Sequence, residues 1–330
     1  TKPPALSILD LALIGSGQPA ADAFANSVAL AARAEARGYE RVWNAQHHKM
    51  AANRSSATSV LIAHIATHTS TIRLGAGGVM LPNHSPLTIA EQFGTLATLH
   101  PGRIDLGLGR APGSDQNTMR EMRRDAHSSD RVPEVVLDLQ GYLGGESRIP
   151  GVVAVPGAGT NVPLYILGSS LFGARLAAML GLPYAFASHF APAALLDAIE
   201  IYRREFQPSD QLAEPYAIAG VNVIAADSDD DALDQWQTVR RSRVARFVAP
   251  GRDLSDDEAD AVLESPQGRQ IAQMMHYSAV GTPGHVKTYL DEFAERAGVD
   301  ELITAHASPA IDQRLRSVDL LADAMDPVTV

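Results

Sequence analysis

Apolar residues in this chain fall into short runs, separated by longer stretches in which they return every three or four positions. The short runs read as strands and the periodic stretches as helices. Strand-like runs lie at 6–13, 39–45, 72–76, 103–108, 164–167, 184–188, 216–225 and 301–305. Helix-like segments lie at 22–37, 55–69, 86–99, 115–124, 130–142, 170–180, 192–206, 283–297 and 311–325. The first helix has Asp22 at its start and Gly38 just past its end, the punctuation expected of a helix. Eight strands alternating with helices predict a (β/α)8 barrel, an α/β fold. A doubly wound sheet would leave two or three of these strands unplaced. The Asp- and Glu-rich stretch 227–277 reads as a helical insertion between the seventh and eighth strands. No linker and no solenoid repeat is visible, so residues 1–330 read as one domain.

Between residues 72 and 115 two apolar runs each end in glycine, which predicts that the glycines sit where the strands stop. Chemistry in parallel α/β folds collects at the carboxyl ends of strands. Those ends are therefore the places to look.

Composition narrows the chemistry. The 330 residues are 45% hydrophobic and 20% charged, a globular profile able to bury a sizeable core. Cysteine is absent, which excludes disulfides, thiolate metal sites and cysteine nucleophiles and fits a reducing cytoplasm. The first ten residues lack a charged-then-apolar leader, and no apolar run approaches the roughly 20 residues of a membrane span. Net charge is −11, with acidic runs at 227–234 and 253–260 that read as solvated faces. An acidic balance without a basic run argues against nucleic-acid or membrane partners.

Several strand ends carry reactive residues. His47 and His48 follow the second strand. An imidazole there can move protons near pH 7, and side-chain alternation requires only one of the pair to face the barrel mouth. The dipeptide is equally compatible with loop histidines that cap backbone groups. Gly75-Ala76-Gly77-Gly78 is not a dinucleotide fingerprint, because an apolar segment and Pro82 follow it. It reads either as bare backbone for a planar ring or as a tight bend. In Gly107-Leu108-Gly109-Arg110-Ala111-Pro112-Gly113, Pro112 replaces the third fingerprint glycine and no Lys-Ser/Thr pair follows. What remains is Arg110 at a glycine turn, suited to clamping a phosphate or to a structural ion pair. Gly168-Ser169-Ser170 opens a helix, which makes an anion corner or a plain N-cap. An arginine and a helix start on neighbouring loops together favour a phosphate.

His189, after the sixth strand, either lines the pocket or packs in its loop. His64 and His68 have helical spacing, but Ile65 stands where a zinc-protease helix needs Glu, so they read as ordinary helix residues and no metal is expected. Ser169 has no nucleophile elbow around it, and no carboxylate pair marks a glycosidase.

Taken together, RGYERVWNAQHHKM, TSVLIA, LGAGGVMLPNHSPLTIAEQFGTL, PGRIDLGLGRAPGSDQ, LGSSLFGARLAAMLGLPYAFASHFAP and NVIAAD resemble the bacterial luciferase-like flavin monooxygenases, in the single-chain branch of the enterobacterial YhbW proteins. The likeness runs to about residue 226 and weakens beyond. It implies a barrel that takes FMN, reduced by a separate flavin reductase, and O2. It also implies a flavin C4a-hydroperoxide that oxygenates a small-molecule substrate. By resemblance His47 matches the catalytic histidine. Gly77 and Gly78 match a dipeptide joined by a cis peptide beneath the flavin ring. Arg110 matches the phosphate arginine, Gly168, Ser169 and Ser170 match the phosphate corner, and Arg131 corresponds to a second phosphate-side arginine.

Two departures stand out. Gln46 replaces the usual Glu before the histidine pair; if that Glu touches His47, the His47 pKa should be lower here. Gly109 replaces a cysteine of luciferase, so light emission with a long-chain aldehyde is not expected. The resemblance leaves two other readings open, a deazaflavin-dependent hydride-transfer oxidoreductase and a flavin-binding barrel without turnover. It further implies a homodimer formed through early helices, where the alanines of 29–36 would allow close approach. Pocket walls are expected from 15–21, the surroundings of Met50 and the insertion after 226. Ala-, Asp- and Arg-rich usage suggests a GC-rich genome and the tailoring of secondary metabolites such as antibiotics.

Overall fold

A computed structural model describes residues 3–14, 17–48, 53–111, 115–124 and 126–325. Gly15, Ser16, Met50, Pro112 and Gly113, named above or within the loops named above, lie outside the described residues.

Strands and helices alternate along the chain. In order they are β1 (Ala5–Asp10), α1 (Ala20–Ala36), β2 (Arg41–Asn44), α2 (Thr58–Ala66), β3 (Arg73–Met80), α3 (Pro86–Leu99), β4 (Ile104–Gly109), α4 (Gln116–Glu121) and α5 (Val132–Gly144). There follow β5 (Leu164–Gly168), α6 (Leu171–Leu180), β6 (Tyr184–Phe186), α7 (Leu195–Glu205), β7 (Ala217–Ala225), α8 (Asp229–Val248), α9 (Asp256–Glu264) and α10 (Pro266–Gln273). Last come β8 (Ser278–Gly281), α11 (Pro283–Ala297), β9 (Glu301–His306) and α12 (Ile311–Met325).

Strands β1 to β7 pair in sequence order, and β9 lies between β7 and β1, so eight parallel strands close a barrel. The expected (β/α)8 architecture is therefore present. One strand was not foreseen. β8 lies outside the ring, parallel to the second half of β7, with Asn222 to Ala225 opposite Ser278 to Gly281. The Ala226 N–H donates to the Gly281 carbonyl at 3.1 Å, so the chain leaves the barrel and returns to it at adjacent points. The insertion between them carries α8, α9 and α10. Its acidic runs turn out to open helices: Asp229, Asp230 and Asp231 fill the first turn of α8, and Asp256, Asp257 and Glu258 that of α9. Carboxylates there meet the positive end of the helix dipole.

Side chains alternate across each strand. Ile8, Val42, Leu74, Leu106, Ile166 and Leu302 belong to the large apolar layer shared with the helices. Leu9, Trp43, Tyr165, Ala185, Ile218 and Ile303 point into the lumen and form a smaller cluster. The floor of the lumen is charged. Arg41 donates to Asp105 (2.7 Å), Glu301 (2.9 Å) and the Tyr165 hydroxyl (2.9 Å). Glu301 also accepts from Ser7 (2.5 Å) and Tyr216 (2.8 Å), while Asp105 accepts from Trp43 Nε1 (3.1 Å) and Arg73. Burial works against the Arg41 cation, but Glu301 and Asp105 outweigh it and hold the guanidinium well above its ordinary value.

Some of the glycines end strands as expected, since Gly109 closes β4, but others do not. Gly75, Gly77 and Gly78 lie within β3, which runs to Met80, and Gly107 lies within β4. Close approach of the two strands explains them. A Cβ on Gly107 would sit 2.1 Å from the Ala76 carbonyl oxygen, and one on Gly78 would sit 2.8 Å from that of Gly107. The register shifts between Ala76 and Val79, across a Gly77–Gly78 bond that is cis.

Among the 29–36 alanines, Ala31 and Ala34 are spent inside the core, whereas Ala32 and Ala36 are exposed. No helix among the described residues is long and apolar enough to cross a membrane.

Candidate active site

Inward parity on β2 runs Arg41, Trp43, Ala45 and then His47, at the carboxyl end of the barrel. The His47 N–H donates to the Ser55 carbonyl at 3.2 Å. Its Nδ1 lies 3.2 Å from Asn53 Nδ2. Asn53 is oriented by its own Oδ1, which accepts the Ser55 N–H at 2.8 Å. The Asn53 amide nitrogen therefore donates to His47 Nδ1, and the imidazole proton is assigned to Nε2. Burial, and then the neighbouring His48, press the His47 pKa below its ordinary value, so the ring is neutral at pH 7.

Gln46 does not point at His47. Its Oε1 accepts the Met80 N–H (2.8 Å) and a hydrogen bond from His84 Nε2 (3.0 Å), while its Nε2 donates to the Ser56 carbonyl (3.0 Å). The side chain thus ties the loop after β2 to the end of β3. A Glu-to-Gln exchange at this position bears on His84, and the lowered His47 pKa comes from burial. His84 is held neutral, its pKa pushed down to about 4 by burial, then by His48 and Arg124. The His48 ring lies 6.3 Å from that of His84, and its Nε2 is buried without a hydrogen-bond partner among the described residues.

His189 follows β6 and is buried. Its Nδ1 has no partner among the described residues, and a Cβ on the inward-facing Gly220 of β7 would lie 2.6 Å from that atom. The ring therefore sits in the lumen beneath the mouth. Its backbone is fixed by Asn222 Nδ2, which donates to the His189 carbonyl at 2.7 Å. Burial, then the charge of Arg243 and the charge that His47 carries when protonated, push its pKa down to about 3.

A second cluster lies at the ends of β4 and β5. The exposed Arg110 side chain stacks on Phe172 in the first turn of α6, guanidinium carbon 4.1 Å from the ring centroid. Its Nε reaches the Ser129 carbonyl at 3.4 Å and its Nη2 lies 3.8 Å from the Asp130 carboxylate. Ser170 is the N-cap of α6, and its side chain makes no capping bond. Ser169 and Ser170 are exposed. Arg131 begins the turn into α5 and donates to Ser128 Oγ at 3.5 Å, on the loop that Arg110 touches. Arg110, the Ser129–Arg131 loop and the open start of α6 are thus brought together, as an anion requires.

The glycines divide by the space beside them. A Cβ on Gly77 would strike Trp43 at 2.8 Å and Leu9 at 3.0 Å, so the lumen side of that residue is already filled by protein. Gly109 has room, with Met80 Sδ at 3.5 Å the nearest atom to an added Cβ. Gly168 is looser still, with its nearest contacts at 3.9 Å. These residues fit a phosphorylated ring cofactor: a guanidinium and a helix start for the phosphate, and uncovered main chain at Gly109 for the ring.

His64, in the last turn of α2, and His68 just beyond it meet edge to face, ring centroids 4.7 Å apart, and among the described residues no cluster of three metal-ligating side chains occurs. Sequence reasoning missed His84, Asn53 and Asn222. The first could have been found by the strand-end rule that selects His47, since it follows β3 by four residues.

A family model described as luciferase-like monooxygenase matches residues 6–301. A luciferase-like monooxygenase of Escherichia coli K12 is 44% identical, covering 98% of this chain and 97% of its own length. The N-acetyl-S-alkylcysteine monooxygenase of Bacillus subtilis is 33% identical over 97% and 98% of the two chains. Among solved structures, apo-MsnO8 superposes with a TM-score of 0.89 at 35% identity, covering 98% of each chain. At lower identity the likeness is one of fold. The FMN complex of the oxygenating component of 3,6-diketocamphane monooxygenase from Pseudomonas putida has a TM-score of 0.75 at 17% identity, covering 99% of each chain. An F420-dependent secondary alcohol dehydrogenase has 0.72 at 16%, again over 99% of each chain. This chain belongs to the luciferase-like monooxygenase family, a flavin-dependent family of oxygenase enzymes.

Proposed function

From that membership we propose that the protein is a two-component monooxygenase, using reduced FMN from a separate reductase and O2 to place one oxygen atom on a small organic substrate. The observation that supports this reading most is the Arg110 guanidinium stacked over the first turn of α6, beside a helix start whose N-cap side chain is unused. Arg110 and the leading N–H groups of α6 would hold the phosphate, with the Ser169 and Ser170 hydroxyls as further donors and Arg131 on the adjoining loop. Main chain at Gly109 would border the ring, and the Gly77–Gly78 segment, packed on Trp43 and Gly107, would support it from below. When bound, reduced FMN supplies two electrons and activates O2.

The rest of the chemistry belongs to the chain. His47, neutral with its proton on Nε2, would donate a hydrogen bond to an oxygen acquiring charge and keep that proton on the ring throughout. Removing one donor aimed at developing charge costs typically about 10²–10³-fold. Trp43, fully buried against Tyr165, closes the lumen beneath, so water reaches the site only from the mouth. Pairing of two copies, carried over from the resemblance, belongs to the same reading. So does location in the cytoplasm. The Bacillus relative's name makes N-acetyl-S-alkylcysteines the first substrates to test.

The test is an oxygen electrode, with photoreduced FMN and then reduced deazaflavin, and a substrate panel that includes those thioethers. Oxygen uptake coupled to product only with reduced FMN is expected. Anaerobic hydride transfer from the deazaflavin would move the protein to the oxidoreductase branch. Tight FMN binding without any product would leave a barrel that has lost turnover.

A further inference from the structure

Three hydrogen bonds close a circuit around His47. Its backbone N–H donates to the Ser55 carbonyl at 3.2 Å. The Ser55 N–H donates to Asn53 Oδ1 at 2.8 Å, and Asn53 Nδ2 meets His47 Nδ1 at 3.2 Å. One short segment thus holds both the main chain and the imidazole of His47. The segment is itself anchored. Asn53 forms an antiparallel bridge with Leu13, and the Arg54 N–H donates to the Ala12 carbonyl at 3.2 Å. Asn53 is buried, so its amide is not free to turn in water.

The circuit has one direction. A backbone N–H only donates, so the Ser55 N–H decides which end of the Asn53 amide faces it. Turning the amide over would set NH2 against N–H and leave a buried donor unpaired. With Oδ1 spent on Ser55, Nδ2 faces His47 and donates. Nδ1 must then accept, and the one proton of a neutral ring goes to Nε2. Burial, and then His48, favour that neutral ring. The arrangement is the opposite of an Asp-His pair, in which a carboxylate accepts from Nδ1–H and turns Nε2 into a base. Here Nε2 gives a hydrogen bond and has no lone pair with which to take a proton.

We propose that Asn53 is the positioning residue of this site: it fixes the His47 proton on Nε2 and so makes His47 a hydrogen-bond donor instead of a base. The catalytic half of this rests on the monooxygenase reading. The place of the proton does not, and it is measured without turnover.

The experiment labels the histidines with nitrogen-15, and long-range proton–nitrogen spectra report which nitrogen of His47 is protonated. His47→Gln assigns the signal. Wild type should show Nε2–H alone. Asn53→Asp keeps the size and reverses the polarity, so its His47 should be protonated on Nδ1. Asn53→Leu removes the partner and should give mixed tautomers. Folding is checked by circular dichroism, with Asn53→Ala in place of Asn53→Leu if the latter fails to fold. FMN affinity, titrated by flavin fluorescence, should be unchanged in both variants. Oxygenation of N-acetyl-S-methylcysteine with photoreduced FMN is the kinetic arm. At alkaline pH Asn53→Asp should be slower by about 10²-fold or more, as for loss of a donor aimed at developing charge. The new carboxylate raises the His47 pKa, so this rate should recover as pH falls and Nε2 regains its proton. Asn53→Leu should lose less and show no such recovery; His48, the titratable neighbour, is the same in all three proteins. Nδ1–H in wild type, an unmoved proton in Asn53→Asp, or equal slowing of the two variants at every pH would each overturn the assignment. If the thioether is not turned over, the spectra alone decide. Failure of wild type to bind FMN would sink the flavin reading and leave the place of the proton standing.

Discussion

The two ends of one lumen are built on opposite rules. At the floor Arg41, Asp105, Glu301, Ser7, Tyr165 and Tyr216 are saturated with one another, and burial, then Asp105, raises the Tyr165 phenol to about 12. At the mouth the polar atoms are left short. Among the described residues His48 Nε2 and His189 Nδ1 have no partner, and Arg110 has a stacked ring and contacts at 3.4 and 3.8 Å. Buried polar groups are normally paired. Charges that satisfy each other hold a structure together. Polar groups left short mark where something else binds.

The contrast can be broken or sharpened by substitution. His47→Ala should slow oxygenation by about 10²–10³-fold while the melting temperature and FMN affinity hold. Near-normal turnover would remove His47 from the chemistry. Asp105→Ala should do the reverse. It removes the carboxylate shared by Arg41, Arg73 and Trp43 Nε1, leaving Arg41 with Glu301 and Tyr165, and losing one partner of a buried charge pair costs about 3–5 kcal/mol, read as a lower urea midpoint. A stable variant would mean the floor network is dispensable. Arg110→Ala should raise the FMN dissociation constant about 10–100-fold with little change in the flavin-free melting curve. An unchanged constant would place the phosphate elsewhere.

The smallest effect is one of pH. His84 and His189 are neutral in the fold, with pKa values pushed down to about 4 and about 3, mainly by burial, against 6.5 in an unfolded chain. Below pH 6.5 the unfolded chain takes up protons that the folded chain refuses. Stability is therefore fully present above 6.5 and is lost as pH falls, by about 1.4 kcal/mol per pH unit for each proton. His189→Gln should lower that slope by about one proton between pH 6 and 5, measured by urea unfolding across a pH series. An unaltered slope would mean that His189 is hydrated and ordinary.

Much of this was legible beforehand, for identifiable reasons. Helices α3, α11 and α12 have the bounds that periodicity predicts, and a proline at the first turn marks the start of α3 and of α11. His47 and Arg110 were readable because a strand's end and its parity fix which side chains reach the mouth. The glycines misled because they resemble punctuation, whereas Gly107 and Gly78 are required by the closeness of β3 and β4. β8 was invisible because SAVG is four residues long, too short for any period to show. The direction of Gln46 could not be read, since alternation gives a face and never a partner.

The stitch between Ala226 and Gly281 makes the segment it encloses a cassette. Everything from Asp227 to Val280 enters and leaves through a single doorway, on a strand that adds nothing to closure of the ring. Lineages can trade that cassette whole, lengthening or recharging it to acquire a new appetite, without unlacing one stave of the cask it overhangs.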